Sequence, residues 1–237
     1  MVLKYDPKHC LPSAADLPDS DDTPVDNELQ NIIPNMLAAS LSIAWESRTD
    51  WFFGVDMGIY YAPSTPAIVP DGFLSLGVDR FVGDEGRLSY VLWEEDYVIP
   101  TLALEVVSKT YGGEYERKKD IYADLGILYY AIYRPNPRGR YKQQPPLEIY
   151  ELAEGRYEQR QGNPIWLPQI GLGLGYARGS HLRYEREWLY WYDQEGRKLP
   201  TVEEKMQQAE EKMQREAAKA DKLAAKLREL GIDPDSL

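Results

Sequence analysis

Apolar and polar positions along the chain change period several times, and each change marks an element. From Asp26 to about Glu46, Leu29, Ile33, Leu37, Leu41 and Ala44 recur at helical spacing, with Ile32, Met36 and Trp45 beside them. Pro34 interrupts this run, so either the helix kinks there or a short turn ends and the main helix starts at Pro34. Trp51–Tyr61 (WFFGVDMGIYY) is aromatic and β-prone and predicts a strand or hairpin arm. Residues 68–77 (IVPDGFLSLG) predict a second strand, broken at Pro70-Asp71. Residues 79–98 are polar and loop-like, with RLSYVLWEE in their middle.

Residues 100–108 then form a run of buried-strand type. Leu102, Ala103, Leu104, Val106 and Val107 are apolar and partly β-branched, yet Glu105 sits among them. Tyr115–Leu125 returns to helical periodicity and ends at Gly126, a C-cap signal. Ile127–Tyr133 (ILYYAIY) is another buried-type strand. Beyond Pro135 come short β segments, LEIYEL and GRYEQR, and then HLRYEREWLYWYDQEGR, read as a hairpin ending at Glu195-Gly196. The glycines of GLGLG (171–175) match neither phosphate-loop nor dinucleotide spacing and read as turn or bulge glycines.

From Pro200 the text changes again. Glycine and internal proline vanish, and Val202, Met206, Ala209, Met213, Ala220, Leu223, Leu227 and Leu230 follow a 4-3 heptad pattern, with Glu216 the one ill-fitting position. Gly231 and Pro234 stop it. Such a helix spans roughly 45 Å and needs a partner for its apolar seam. The organisation expected is an irregular Pro/Asp/Ser-rich arm (1–24), an α/β domain (25–199) and a helical, coiled-coil-like tail (200–237).

Composition narrows the chemistry. The chain has 237 residues, enough for one sizeable core plus an appendage. Net charge is −12, and the tail carries only −2 of it, so the acidity lies in the body. This argues against broad, non-specific adhesion to nucleic acid, though not against a local basic groove. Two histidines and one cysteine (His9, His181, Cys10) cannot build the usual zinc cages. A metal would be held by oxygens, which points to Mg²⁺ or Mn²⁺. With no signal-like segment, no bilayer-length apolar run and no disulfide possible within the chain, the expected location is the cytoplasm.

Two apolar strands thus carry one acid each, Asp71 in PDGFLSL and Glu105 in LALEVVS. If those strands pair, the carboxylates meet at one end of a sheet, where a divalent cation would make both burials tolerable. In EYERKKDIYADLG, Glu114, Lys118 and Tyr122 share one helix face, and Ile121 and Leu125 can anchor that helix on the sheet. A lysine over two carboxylates and a metal is sound chemistry for phosphodiester hydrolysis. Taken singly, each residue has a plainer reading: Pro-Asp as a turn pair, Glu105 as a salt-bridged core acid, Lys118 as a solvated helix charge.

PDGFLSLG, PTLALEVVS, Lys118-x-x-x-Tyr122 and LGILYYAIYRP, in this order, resemble the Uma-two family of bacterial proteins assigned as restriction endonucleases. The resemblance runs from roughly Pro24 to Tyr192. It implies the PD-(D/E)XK nuclease fold, a mixed central sheet flanked by helices. It makes Asp71 and Glu105 the metal-binding acids and Lys118 the catalytic lysine. The parent motif would put lysine two residues after the glutamate, where this chain has Val107. The lysine is displaced to the following helix, and Glu114 stands where many members have aspartate. Glu28 matches an acid some relatives use near the metal, and the main-chain carbonyl of Val106 could complete the metal shell. Ser108 reads first as a cap or end of its strand, with orientation of Glu105 as the alternative. The function so implied is Mg²⁺-dependent (or Mn²⁺-dependent) DNA cleavage by a homodimer. The alternative is a catalytically inert dimeric module that binds nucleic acid or protein on the same fold.

Overall fold

The computed structural model describes residues 11–18, 27–107, 114–137 and 142–230, the side chains of 114 and 115 excepted. The chain divides into two compact units, Met1–Leu199 and Pro200–Leu237.

The first unit is built on a six-stranded mixed sheet. Its strands are β1 (Trp51–Val55), β3 (Gly72–Leu76), β5 (Leu102–Val106), β6 (Tyr129–Tyr133), β7 (Leu147–Ala153) and β8 (Arg156–Arg160), neighbours in that order. Only β5 and β6 are parallel, and the helix between them, α2 (Glu114–Leu125), makes the crossover that a parallel pair requires. The short β2 (Ile59–Tyr60) and β4 (Tyr90–Val91) pair with each other outside this sheet. WFFGVDMGIYY is therefore two strands in different sheets, because Asp56 at φ 48° turns the chain after β1.

Both faces of the sheet are covered, which is why β5 and β6 read as continuous apolar runs. Leu102, Leu104 and Val106 point into one core with Ile33, Leu37 and Leu41 of helix α1 (Glu28–Ala44) and with Trp188–Trp191. Ala103 and Val107 point into the other core with Tyr122, Ile127 and Tyr130. Helix α1 is continuous through Pro34, so its start is set by Asn27, not by the proline. Asn27 accepts from the Leu29 N–H at 2.9 Å, and Gln30 Oε1 accepts from the Asn27 N–H at 3.1 Å.

The C-terminal part of this unit corrects the sequence reading. GLGLG is not a turn: Leu172–Gly175 begin strand β10 (Leu172–His181), which pairs with β9 (Ile165–Leu167) and along its whole length with β11 (Tyr184–Tyr192). The hairpin turn lies at Leu182-Arg183, both at positive φ, and not at Glu195-Gly196. The glycines serve close packing. A Cβ on Gly175 would lie 2.6 Å from Asn163 Oδ1 and 2.8 Å from the Pro164 Cα.

Within the described part of the N-terminal arm, the segment around a 3₁₀ turn (Ala14–Asp16) is tied to the same unit. Trp93 Nε1 donates to Pro12 O at 2.8 Å, Ala14 N to Glu94 at 3.1 Å and Tyr60 OH to Pro18 O at 2.7 Å. Among the described residues the second unit is one helix, α3 (Val202–Glu229), capped by a reciprocal box. The Thr201 hydroxyl accepts from the Glu204 N–H, and the Glu204 carboxylate accepts from the Thr201 N–H.

Candidate functional site

Strands β3 and β5 pair antiparallel with Gly72 opposite Leu104, which sets Asp71, just before β3, beside the Glu105–Val106 end of β5. Asp71 Oδ2 accepts the Val106 N–H at 2.6 Å. Glu105 sits on the opposite face from Leu104 and Val106, under helix α2, and is 2% exposed. A carboxylate buried so deeply needs donors. Two come from α2, one turn apart. Lys118 Nζ donates to Glu105 Oε2 at 3.0 Å, and the Tyr122 hydroxyl donates to Oε1 at 2.7 Å. Lys118 also donates to the Val69 carbonyl at 2.9 Å, which ties α2 to the chain just ahead of Pro70-Asp71.

The i, i+4 spacing puts Lys118 and Tyr122 on one helix face. Lys119 goes elsewhere, its ammonium 3.5 Å from the centre of the Tyr150 ring. Val107, where the parent motif has lysine, is buried among the apolar residues of the α2-side core. The cation that position would have supplied reaches Glu105 from the helix instead.

Among the described residues the acids of the site, Asp71, Glu105 and Asp56, outnumber its cation, Lys118. Burial raises the Asp71 carboxyl, the Glu105 charge raises it further, and its pKa is pushed up to about 7; the Val106 N–H and Lys118 oppose this only in part. Asp56, at the end of β1, pushes in the same direction. Burial and the adjacent Glu105 charge drive the Tyr122 phenol well above its ordinary value, so it stays a donor to Glu105.

Asp71, Glu105, Lys118, Tyr122 and the Val106 amide thus come together. Glu28 is exposed in the first turn of α1. The α1 residue that reaches the site is Gln30, whose Nε2 lies 3.4 Å from Asp71 Oδ1 while its Oε1 caps the helix. Sequence reasoning missed Gln30 and Asp56. The Asn27-x-x-Gln30 spacing was visible as a capping box, but nothing in it points at an acid 41 residues on. Ser108 and the Glu114 side chain lie outside the described residues. Among the described residues no group of three or more His, Cys, Asp or Glu is arranged to hold a metal.

A family model described as "Uma2: Putative restriction endonuclease" matches residues 22–176, more than half of the chain. The chain belongs to this family. Membership supports a nuclease role in general, and the mixed sheet flanked by helices is the architecture the resemblance implied. A solved structure titled as a "putative nuclease belonging to DUF820", from Anabaena variabilis ATCC 29413, is similar at 11% identity. It covers 62% of this chain and 76% of that one, with a TM-score of 0.44. No curated protein matches the chain. Among the described residues no helix is long and apolar enough to cross a membrane.

Proposed function

We propose that this Uma2 protein is a divalent-cation-dependent endonuclease that hydrolyses phosphodiester bonds in DNA. Asp71 and Glu105 would hold the cation, and Lys118 would be the cationic group of the reaction. The observation that carries the reading is the meeting of one carboxylate just ahead of β3, one on β5 and one helix-borne ammonium. Among the described residues Lys118 acts on both acids, and the Asp71 carboxyl is still pushed up to about 7 by burial and by Glu105. That excess of acid fits a cation bound by oxygens. A bound Mg²⁺ or Mn²⁺ supplies that charge, lowers the pKa of a water and offsets charge on the phosphate.

The chain's own groups have separate tasks. The Val106 N–H fixes the Asp71 carboxylate, and Tyr122 fixes that of Glu105, so neither must be ordered when substrate arrives. Asp71 Oδ2 accepts from the Val106 N–H and Oδ1 from Gln30 Nε2, one bond each, and a carboxylate oxygen has a second lone pair. The Val106 carbonyl would complete the set of oxygens. Lys118, held by Glu105 and Val69, would stabilise charge growing on the phosphoryl oxygens and orient the attacking water. The reading extends to a cytoplasmic homodimer paired through the tail.

A second reading, an inert module that binds without cleaving, is favoured by the net charge of −12 and by Val107 in the lysine position. The two separate in a nuclease assay with Mn²⁺ titration and Asp71→Ala as control. Metal-dependent cleavage that the substitution removes supports the enzyme. Binding of DNA without cleavage at any Mn²⁺ concentration supports the module.

A further inference from the structure

The tail helix α3 buries none of its residues, and its heptad seam is open, with Met206, Met213, Leu223 and Leu230 each more than 60% exposed. Counting from that seam, Met206, Met213, Ala220 and Leu227 take one core position (a). Val202, Ala209, Glu216, Leu223 and Leu230 take the other (d). The flanks are then strictly divided. The position before each a residue is lysine four times in succession: Lys205, Lys212, Lys219 and Lys226. The position after each d residue is Glu203, Glu210, Ala217 and Ala224, never basic.

We infer that α3 pairs with α3 of a second copy of this chain as a parallel, in-register, two-stranded coiled coil. The inference rests on the self-pairing proposed above and adds its orientation. In a parallel pair the flank before a on one helix faces the flank after the next d of the other, five residues on. Lys205 then meets Glu210 of the second copy on both sides of the coil, and Lys212 and Lys219 meet alanines. In an antiparallel pair like flanks face each other, and a row of four lysines would confront its own copy. The charge division therefore selects one orientation and specifies a partner carrying the same sequence.

Glu216 fits the same picture as a weak point. In register it faces Glu216 of the second copy, and Lys212, one turn before it, lies 4.0 Å from its carboxylate. The small residues Ala217, Ala218 and Ala220 around it leave room for both carboxylates to turn outward. A parallel coil also starts both copies at Thr201, with helix axes about 10 Å apart.

The test uses the full chain with Cys10→Ser, so that any thiol present is an introduced one. Met206→Cys and Leu223→Cys are made separately and oxidised. Each is expected to cross-link to itself in most of the protein. In an antiparallel coil centred on Glu216 the two copies of residue 223 would lie about 21 Å apart, and neither variant would cross-link. That result overturns the orientation. Light scattering over a concentration series reads the pairing itself, and a monomer throughout overturns both pairing and orientation. In the same series Glu210→Lys is expected to raise the dissociation constant about tenfold, by setting lysine against lysine on both sides. Adding Lys205→Glu is expected to restore it. A Glu210→Lys chain that pairs as well as the wild type overturns the assignment. None of these readouts depends on cleavage.

Discussion

Asp71→Asn should make the metal-free protein more stable at pH 8, although it removes a residue of the proposed site. In the folded chain the Asp71 carboxyl is pushed up to about 7 from its ordinary 3.8, by burial first and by Glu105 second. The folded state therefore keeps a proton that the unfolded chain releases between those values. Stability present at low pH is lost as pH rises through that window, and above pH 7 the whole contribution is gone. A shift of this size corresponds to at most about 4 kcal/mol, and partial exposure of the carboxyl brings the expected figure to about 2–3 kcal/mol. Asparagine keeps an oxygen for the Val106 N–H and carries no charge. Urea denaturation in EDTA, from pH 4.5 to 8, is the assay. The two proteins should unfold at similar urea concentrations near pH 4.5 and diverge as pH rises, with the asparagine variant ahead by roughly 5–10 °C in matching thermal scans at pH 8. Mn²⁺ should raise the wild-type midpoint at pH 8 and leave the variant nearly unchanged. Parallel pH curves, or a variant less stable at pH 8, would refute the view that Asp71 is an acid held short of a positive charge.

Lys118→Met should lower cleavage by about 10²–10³, while Lys119→Met, whose ammonium rests on Tyr150, should change it less than threefold; steady-state rates at low salt give the comparison. Glu105→Gln should weaken Mn²⁺ binding, with activity partly recovered at high Mn²⁺, as read by isothermal titration and a parallel rate series. Gly175→Ala should cost about 1–3 kcal/mol by urea denaturation, because the added methyl meets Asn163 and the Pro164 backbone.

The parts of this molecule legible in the sequence are those where local pattern and tertiary role agree. The β5 and β6 runs are apolar because both sheet faces are covered, and a single glutamate in such a run stands out against that background. That Lys118 and Tyr122 share one helix face was readable from their spacing, since α2 has one face toward the sheet. The rest depends on contacts between distant segments. Gln30 reaches Asp71 only because α1 packs where it does, and Asp56 acts on Asp71 only because β1 pairs with β3. Strand β10 was hidden because its glycines answer to Asn163 and Pro164 across the sheet, not to a turn. Its hairpin turn carries Leu182-Arg183 in place of the usual Asn-Gly signal, so the visible turn at Glu195-Gly196 drew the reading instead.

The central claim is that Asp71, Glu105 and Lys118 form a working cation-dependent site, and cleavage of plasmid DNA tests it most directly. Purified full chain is incubated at low salt with supercoiled and single-stranded DNA, in Mg²⁺, in Mn²⁺ and in EDTA, beside Asp71→Ala and Lys118→Met. The account predicts nicked or linear product with either metal, none in EDTA, and loss of product in both variants. Cleavage that survives Asp71→Ala, or a wild-type chain that leaves every substrate intact in both metals, would contradict it.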